Sequence, residues 1–370
     1  MKYKKNLLFI SPDAPPSIGG VEKFISMISV NIPRDEFNIT ILSGTRLNGD
    51  VKKIKFYLWS GIQVVQIPTF NFKGMEWPAK LVYYKEIWRL LRWADTVHLN
   101  DVRCFFTTTV LARIFNDSKL ILTTHGLIFH TRRNMLAKNL YALYFRQCMK
   151  FAIDKVIVNG YVDQFYCQNF NVETTLINNG VDIDSWTKFC RKPIAGNFIY
   201  FGRIDKNKGL SNLIRVLSLY KRHIGGFRLD ICGGGDENEV LKLKEEADNL
   251  GVSNFIFWHG RVTDKELKDL LSHSELVFNP STFESFGLAL VEAALMGCTI
   301  IANKNKQFDN MVGNSKAVYL IDFHNKVEFF DVIKRIRMEY QDTREVAIIW
   351  SKRYGQTQFI QHYLDVYREY

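Results

Sequence analysis

The chain has 370 residues, 47% of them apolar and 14% aromatic, with a formal net charge of +11. That composition supplies enough apolar surface for two ordinary domains and excludes a disordered chain; no repeat of solenoid length is present. Nearly all of the positive excess falls within residues 1–150, which points that half toward an anionic partner: a phosphate-bearing substrate, a nucleic acid or an anionic membrane surface. No apolar run approaches the ~18 residues that a membrane span needs. The basic start is followed by a short apolar run, interrupted by Asp13 and prolines, that reads as a first strand and not as a signal peptide. Cys104, Cys148, Cys167, Cys190, Cys232 and Cys298 include no C-x-x-C pair. They read as reduced, buried thiols of a cytosolic protein, with no zinc site.

Taken in chain order, residues 6–11 form a β-rich run, 12–20 a turn-rich loop and 21–30 a helix with one apolar face. Strands are expected at 38–42, 63–67, 96–99 and 119–123, with helical patterns between several of them. The segment 77–93 carries three tryptophans, two tyrosines and four basic residues. As a helix starting at Pro78 it would present Leu81, Tyr84, Trp88 and Leu91 as one stripe, the pattern of a helix lying on an anionic membrane; packing into the domain is the plainer alternative. A second basic stretch runs from His130, Thr131, Arg132 and Arg133 to Lys150.

The second half alternates more cleanly. Strands are expected at 198–201, 228–232, 255–258, 275–279 and 299–302, and helices at 210–222, 238–250, 265–272 and 288–296. Such alternation predicts α/β architecture, with parallel sheets covered by helices. The pattern breaks between about 183 and 196 around Arg191, Lys192, Pro193 and Gly196. The expected domains are therefore residues 1–190 and 191–351.

Most chemically suggestive residues fall just after expected strands, where open α/β sheets bind ligands. Glu284 and Glu292 stand eight residues apart around Ser285-Phe286-Gly287-Leu288, so Glu284 lies in a loop and Glu292 inside the next helix. The amides of Phe286 and Gly287 would open that helix, where anions bind well. Arg203 and Lys208, framed by Gly202 and Gly209, offer a planar fork and a point charge to a phosphate. Gly19 and Gly20 sit where a backbone would approach a ligand closely. Gly233-Gly234-Gly235 lacks the G-x-G-x-x-G spacing and reads as a loop on the same side. His125 follows the strand at 119–123, and Asn100-Asp101 follows the one at 96–99. No metal-ligand spacing occurs.

Four of these segments together resemble retaining glycosyltransferases of family 4. They are Pro16-Ser17-Ile18-Gly19-Gly20-Val21-Glu22, Asn179-Gly180-Val181-Asp182, Gly202-Arg203-Ile204-Asp205-Lys206-Asn207-Lys208-Gly209 and the E-x7-E pair Glu284/Glu292, in the family's order. The resemblance implies a GT-B fold, two Rossmann-like doubly wound domains facing across a cleft, with the aromatic C-terminal segment at about 352–370 crossing back onto the first domain. It implies retaining, metal-independent transfer from a nucleotide-sugar with no cofactor, the departing phosphate deprotonating the acceptor hydroxyl. Arg203 and Lys208 would meet the pyrophosphate, Glu284 the sugar hydroxyls and Glu292 the ribose. His125 would bind the hexose near the reacting carbon, and the amide after Gly19 and Gly20 the donor phosphate. Many relatives carry a second histidine where Asn100 stands, which leaves its role open; Asp101 would touch the acceptor or cap a helix.

Thr124-His125-Gly126-Leu127-Ile128-Phe129-His130-Thr131, with Tyr200-Phe201-Gly202-Arg203, is similar to the mannosyltransferases of xanthan- and acetan-type exopolysaccharide assembly. That similarity implies mannose transfer from GDP-mannose to a lipid-linked saccharide by a protein peripheral on the inner membrane face, without nucleic acid. The alternatives are a UDP-sugar enzyme of the same fold, a soluble sucrose-type synthase, or a non-catalytic basic protein on a membrane or nucleic acid. Glycosidase carboxylates at Glu284 and Glu292 fit poorly, because the second acid lies within a helix.

Overall fold

The computed structural model describes residues 3–17, 19–45, 53–72, 75–127, 135–338 and 343–370. Ile18 and the stretch from Ile128 to Arg133, all invoked above, lie outside the described residues. The chain divides into two compact units, Met1–Gly180 with Gln356–Tyr370, and Val181–Gly355.

In the first unit ten strands are present among the described residues: β1 (Lys5–Ser11), β2 (Phe37–Ser43), β3 (Lys55–Trp59), β4 (Ile62–Gln66), β5 (Thr69–Phe72), β6 (Met75–Pro78), β7 (Thr96–Asn100), β8 (Lys119–Thr123), β9 (Lys155–Val158) and β10 (Thr175–Leu176). Eight form one sheet in the order β10-β9-β8-β7-β1-β2-β4-β3. It is parallel except for β3, which returns antiparallel on β4 at the edge. β1 shows why the sheet sits in the middle of the unit. Leu8 and Ile10 join one buried cluster, with Val97, Leu99 and the helix Tyr84–Trp93, while Leu7 and Phe9 join another, with the helix Gly20–Asn31. A strand buried on both faces reads as a continuous apolar run. The last helix, Gln356–Glu369, closes the second face with Phe359, Tyr363 and Tyr367.

The second unit carries β11 (Ile194–Phe201), β12 (Arg228–Cys232), β13 (Ile256–Gly260), β14 (Ser274–Asn279), β15 (Thr299–Asn303) and β16 (Val318–Ile321) in one sheet, ordered β13-β12-β11-β14-β15-β16. All its pairings are parallel. Phe198 and Tyr200 enter one cluster, Ile199 and Phe201 the other. The four helices expected here form at Leu210–His223, Glu237–Asn249, Asp264–His273 and Leu288–Leu295. The helix Thr343–Lys352, which bears Trp350, belongs to this second unit.

Two expectations are corrected. The helix expected from Pro78 begins at Tyr84, after a 3-10 turn over Leu81–Tyr83, because Met75–Pro78 pairs with Thr69–Phe72 as a hairpin. Leu91 faces the core with Ile87 and Leu90, so the four-residue stripe does not exist; Leu81 is 86% exposed. Period-3.6 counting had the wrong start, and with it the wrong face. The cysteines are all free, but Cys190 is exposed and not buried, since it sits in the irregular segment before β11.

Candidate functional site

Two loops of the second unit carry most of the candidate residues. Lys208 ends a 3-10 turn, Lys206–Lys208, after β11, and Glu284 lies in the loop after β14. The structure brings them together: Lys208 Nζ lies 2.5 Å from Glu284 Oε1, with the side chains only 16% and 15% exposed. The loops are fastened at several points. Asp205 caps the turn by accepting from Asn207 N at 2.9 Å, and Asn207 O accepts from Thr282 N at 2.8 Å and Thr282 Oγ1 at 3.0 Å. Gly209 has a positive φ of 66°, and a Cβ there would lie 2.1 Å from Pro280 O. Only glycine satisfies both demands, so this glycine serves the fit between loops.

Arg203 is placed differently. Its side chain is 71% exposed, with Nε 3.1 Å from Asp205 Oδ2. Beneath it the buried Tyr200 hydroxyl donates to Arg203 O at 2.7 Å. Burial, reinforced by Glu284, pushes that phenol well above its usual range, so it stays neutral. Gly202 N donates to Cys232 O at 2.9 Å. The glycine run 233–235 is explained here too: a Cβ at Gly233 would lie 1.8 Å from Gly202 O, and one at Gly235 2.0 Å from Ile204 O. These glycines let two backbones touch, a packing role.

Downstream, Gly287 is the residue before the helix Leu288–Leu295 and gives it no side-chain cap. The first amides of a helix have no intrahelical acceptor, so this end carries unspent donors and positive potential. Phe286 is buried against Tyr354, ring centroids 5.5 Å apart, and its carbonyl accepts from Gln307 Nε2 at 3.3 Å. That fixes where the helix starts. Ser285 and Leu288 are half-buried, and Glu292 is buried in the second turn of the helix.

In the first unit the candidates surround the ends of β7 and β8. His125 has a positive φ of 48°. Its Nε2 lies 3.3 Å from Asn100 Oδ1, and Phe24 meets its ring edge-on at 4.5 Å between centroids. Burial pushes the imidazole down to about 4, opposed by Asp101 and assisted by Arg103. His98, one layer deeper, bonds Tyr367 Oη through Nδ1 and Thr123 Oγ1 through Nε2, both at 2.7 Å. Burial, with His125 nearby, holds it well below the usual range as well.

Asp101 is fully buried and accepts from Arg103 N at 3.1 Å and from Arg103 Nε at 2.8 and 2.7 Å. It caps no helix, since the next one, Phe106–Ala112, begins after Phe105; the arginine claims its carboxylate instead. Gly19 has an extended backbone, and a Cβ there would lie 2.1 Å from Glu22 Oε2, whereas Gly20 has open space around it.

One residue the sequence did not offer is Asp163, in the first turn of the helix Tyr161–Asn169. Its buried carboxylate accepts from Thr124 Oγ1 at 2.5 Å, Gly126 N at 2.8 Å and Leu127 N at 2.9 Å. It therefore grips the chain on both sides of His125. In sequence it looks like any acid in a helix's first turn, and the strand that brings it there was not expected.

Residues 194–352 match the family model described as Glycosyl transferases group 1, and residues 18–185 the one described as Glycosyltransferase Family 4. A GDP-mannose:cellobiosyl-diphosphopolyprenol alpha-mannosyltransferase of Xanthomonas campestris is 21% identical over 365 residues, 95% of this chain and 93% of the relative. Glycogen synthase of Mycobacterium tuberculosis is 24% identical over 325 residues, 80% of this chain and 77% of the relative. Among solved structures, Anabaena Alr3699/HepE in complex with UDP matches with a TM-score of 0.77 at 17% identity, over 100% of both chains. Likeness at that identity shows the fold, which is GT-B.

Proposed function

The chain belongs to glycosyltransferase family 4, and from that premise we propose that it moves mannose from GDP-mannose, with retention of configuration, onto a lipid-linked saccharide in surface or exopolysaccharide assembly. Its membership sets aside the non-catalytic alternative. The observation that carries the reading is the Lys208–Glu284 pair at 2.5 Å, in a unit that also offers an uncapped helix start. A leaving nucleoside diphosphate gains negative charge as the bond from the sugar C1 to the phosphate oxygen breaks. Lys208, Arg203 and the amides from Gly287 onward stabilise that charge without a metal. Glu284 accepts from hydroxyls of the transferred sugar, and Glu292 from the ribose.

Retention follows if the acceptor attacks on the face the phosphate leaves. The departing phosphate oxygen takes the hydroxyl proton, so no side chain need form a covalent intermediate. His125, neutral at physiological pH, contacts the hexose, and the backbone after Gly19 and Gly20 meets the donor phosphate. Asp101 holds Arg103, so its part on the acceptor side is to aim that cation.

The polyprenol-linked acceptor is supported by the Xanthomonas relative, whose name specifies one. No helix among the described residues is long and apolar enough to cross a membrane, so we propose peripheral attachment to the anionic inner face. Leu81 and Val82 are exposed, Phe115 is 75% exposed beside Trp88, and Lys85, Arg89 and Arg92 are exposed nearby in sequence. Apolar residues among basic ones suit an anionic headgroup layer.

Thermal stabilisation and slow donor hydrolysis, measured over a panel of GDP- and UDP-sugars, test the reading. Response to GDP-mannose alone supports it. Response to a UDP-sugar alone overturns the donor and favours the UDP alternative, which the UDP-bound structural neighbour supports. Silence with every donor, with and without anionic vesicles, overturns the site.

A further inference from the structure

Asn100 was left without a role by its sequence, and its surroundings supply one. Asn100 Nδ2 lies 3.1 Å from His98 O, an atom that only accepts, which fixes the orientation of the amide. The other end, Oδ1, therefore faces His125 Nε2 at 3.3 Å. An amide oxygen also only accepts, so Nε2 must carry the proton. A neutral imidazole has one N–H, and burial keeps His125 neutral down to about pH 4. Its Nδ1 is then a lone pair, and the His125 side chain makes no second hydrogen bond among the described residues.

We propose that Asn100 is a positioning residue that locks His125 in the Nε2–H tautomer, so that Nδ1 accepts a hydrogen bond from a hydroxyl of the donor sugar. This rests on the reading of His125 as a sugar ligand. The surroundings are built to hold it. Asp163 pins Thr124, Gly126 and Leu127, so the ring has a fixed stem, and Phe24 closes one side of it. Besides Asp163, whose carboxylate is taken up by Thr124, Gly126 and Leu127, the charged and titratable groups that face it among the described residues are Asp101 and Arg103 from the loop after β7 and His98 on β7. The two charges oppose each other, which leaves the single amide to decide the tautomer. A histidine or serine at position 100 could donate or accept, and would not make that choice.

The test is a long-range 1H–15N histidine spectrum of the full chain at pH 7, with the His125 signals assigned by their loss in His125→Gln. The native protein should show Nε2 protonated and Nδ1 bare. Asn100→Ala should lose that bias. Asn100→Asp, nearly the same shape, should keep the tautomer while its charge raises the His125 titration by about one pH unit or more. The acid limb of the transfer profile should move with it. A native Nδ1–H tautomer, or no change of tautomer in Asn100→Ala, overturns the proposal; if Asn100→Ala does not fold, the native tautomer and the Asn100→Asp shift decide. Native transfer by His125→Gln would overturn the sugar-ligand role alone and leave the tautomer assignment standing.

Discussion

The two units hold their candidate residues by opposite means. In the first, a neutral histidine is clasped in a buried setting, its loop gripped by one carboxylate and its ring nitrogen facing one amide. In the second, a lysine and a glutamate neutralise each other between two loops with their side chains largely covered, while an arginine stands mostly in solvent. The first arrangement spends its hydrogen bonds on shape. The second keeps charges that a charged, hydroxylated ligand can take over: a diphosphate for the lysine, sugar hydroxyls for the glutamate. Substitution of the exposed Arg203 should therefore separate chemistry from stability, whereas changes in the first unit should couple them.

The largest effect is expected there, in the second unit. Lys208→Ala, Arg203→Ala and Glu284→Gln should each lower transfer by about 10²–10³-fold or more, the scale of losing one group that stabilises a developing charge. Melting temperature should stay within a few degrees in Arg203→Ala, whose ion pair lies largely in solvent, and should fall further in Lys208→Ala and Glu284→Gln, each of which takes one partner from a mostly buried pair. Donor turnover with parallel melts checks this, and near-native rates in two of the three variants would break the site assignment.

Asp163→Asn should behave in the other way. It replaces an acceptor of three bonds with a group that presents its own donors to a hydroxyl and two amides. Hydrogen bonds to a buried charge are worth about 1.5–3 kcal/mol each, so a loss of several degrees in melting temperature should accompany any loss of transfer. An unchanged melt with lost activity would mean that Asp163 touches substrate and does not merely hold the loop.

How much of this could be read from the sequence follows the same division. The glycine-framed basic loop and the acidic pair were legible because each is local: a few residues after a strand, in a fixed order. The expected strands of the second half reappear within a few residues of their places because short, nearly continuous apolar runs were bounded by turns. Asp163 and Asn100 were illegible in function because their partners lie 37 and 25 residues away, and only the parallel order of β7, β8 and β9 brings them to one end of the sheet. The hairpin β5–β6 was missed because Trp77 and Pro78, which end its second strand, read as the start of an aromatic helix.

The buried histidines make the first unit sensitive to acid. Both His98 and His125 have pKa values lowered by burial, so the unfolded chain binds their protons first. Stability is then full above about pH 6.5, the ordinary histidine value, and falls as pH drops through it toward the folded values, by up to about 1.4 kcal/mol per pH unit for each imidazole. Urea unfolding between pH 5 and 7.5 reads this slope. His98→Asn should remove part of it, and an unchanged slope would show that the acid sensitivity lies elsewhere.

The smallest effects on stability, and the sharpest contrast, are expected on the outer side of the helix Tyr84–Trp93 and its neighbours. Ile87 is fully buried while Leu81 and Phe115 are mostly in solvent, so folding gains from the first and almost nothing from the other two. Ile87→Ser should cost several kcal/mol, as core truncations that bury a hydroxyl do, whereas Leu81→Ser and Phe115→Ser should stay within about 0.5 kcal/mol. If the exposed pair dips into a lipid headgroup layer, those two variants should nonetheless lose several-fold in binding to anionic vesicles, at a rate of transfer to a water-soluble acceptor that does not change. Unchanged vesicle binding would leave the basic residues alone as the membrane contact, and raising the salt concentration should then abolish what the apolar substitutions did not.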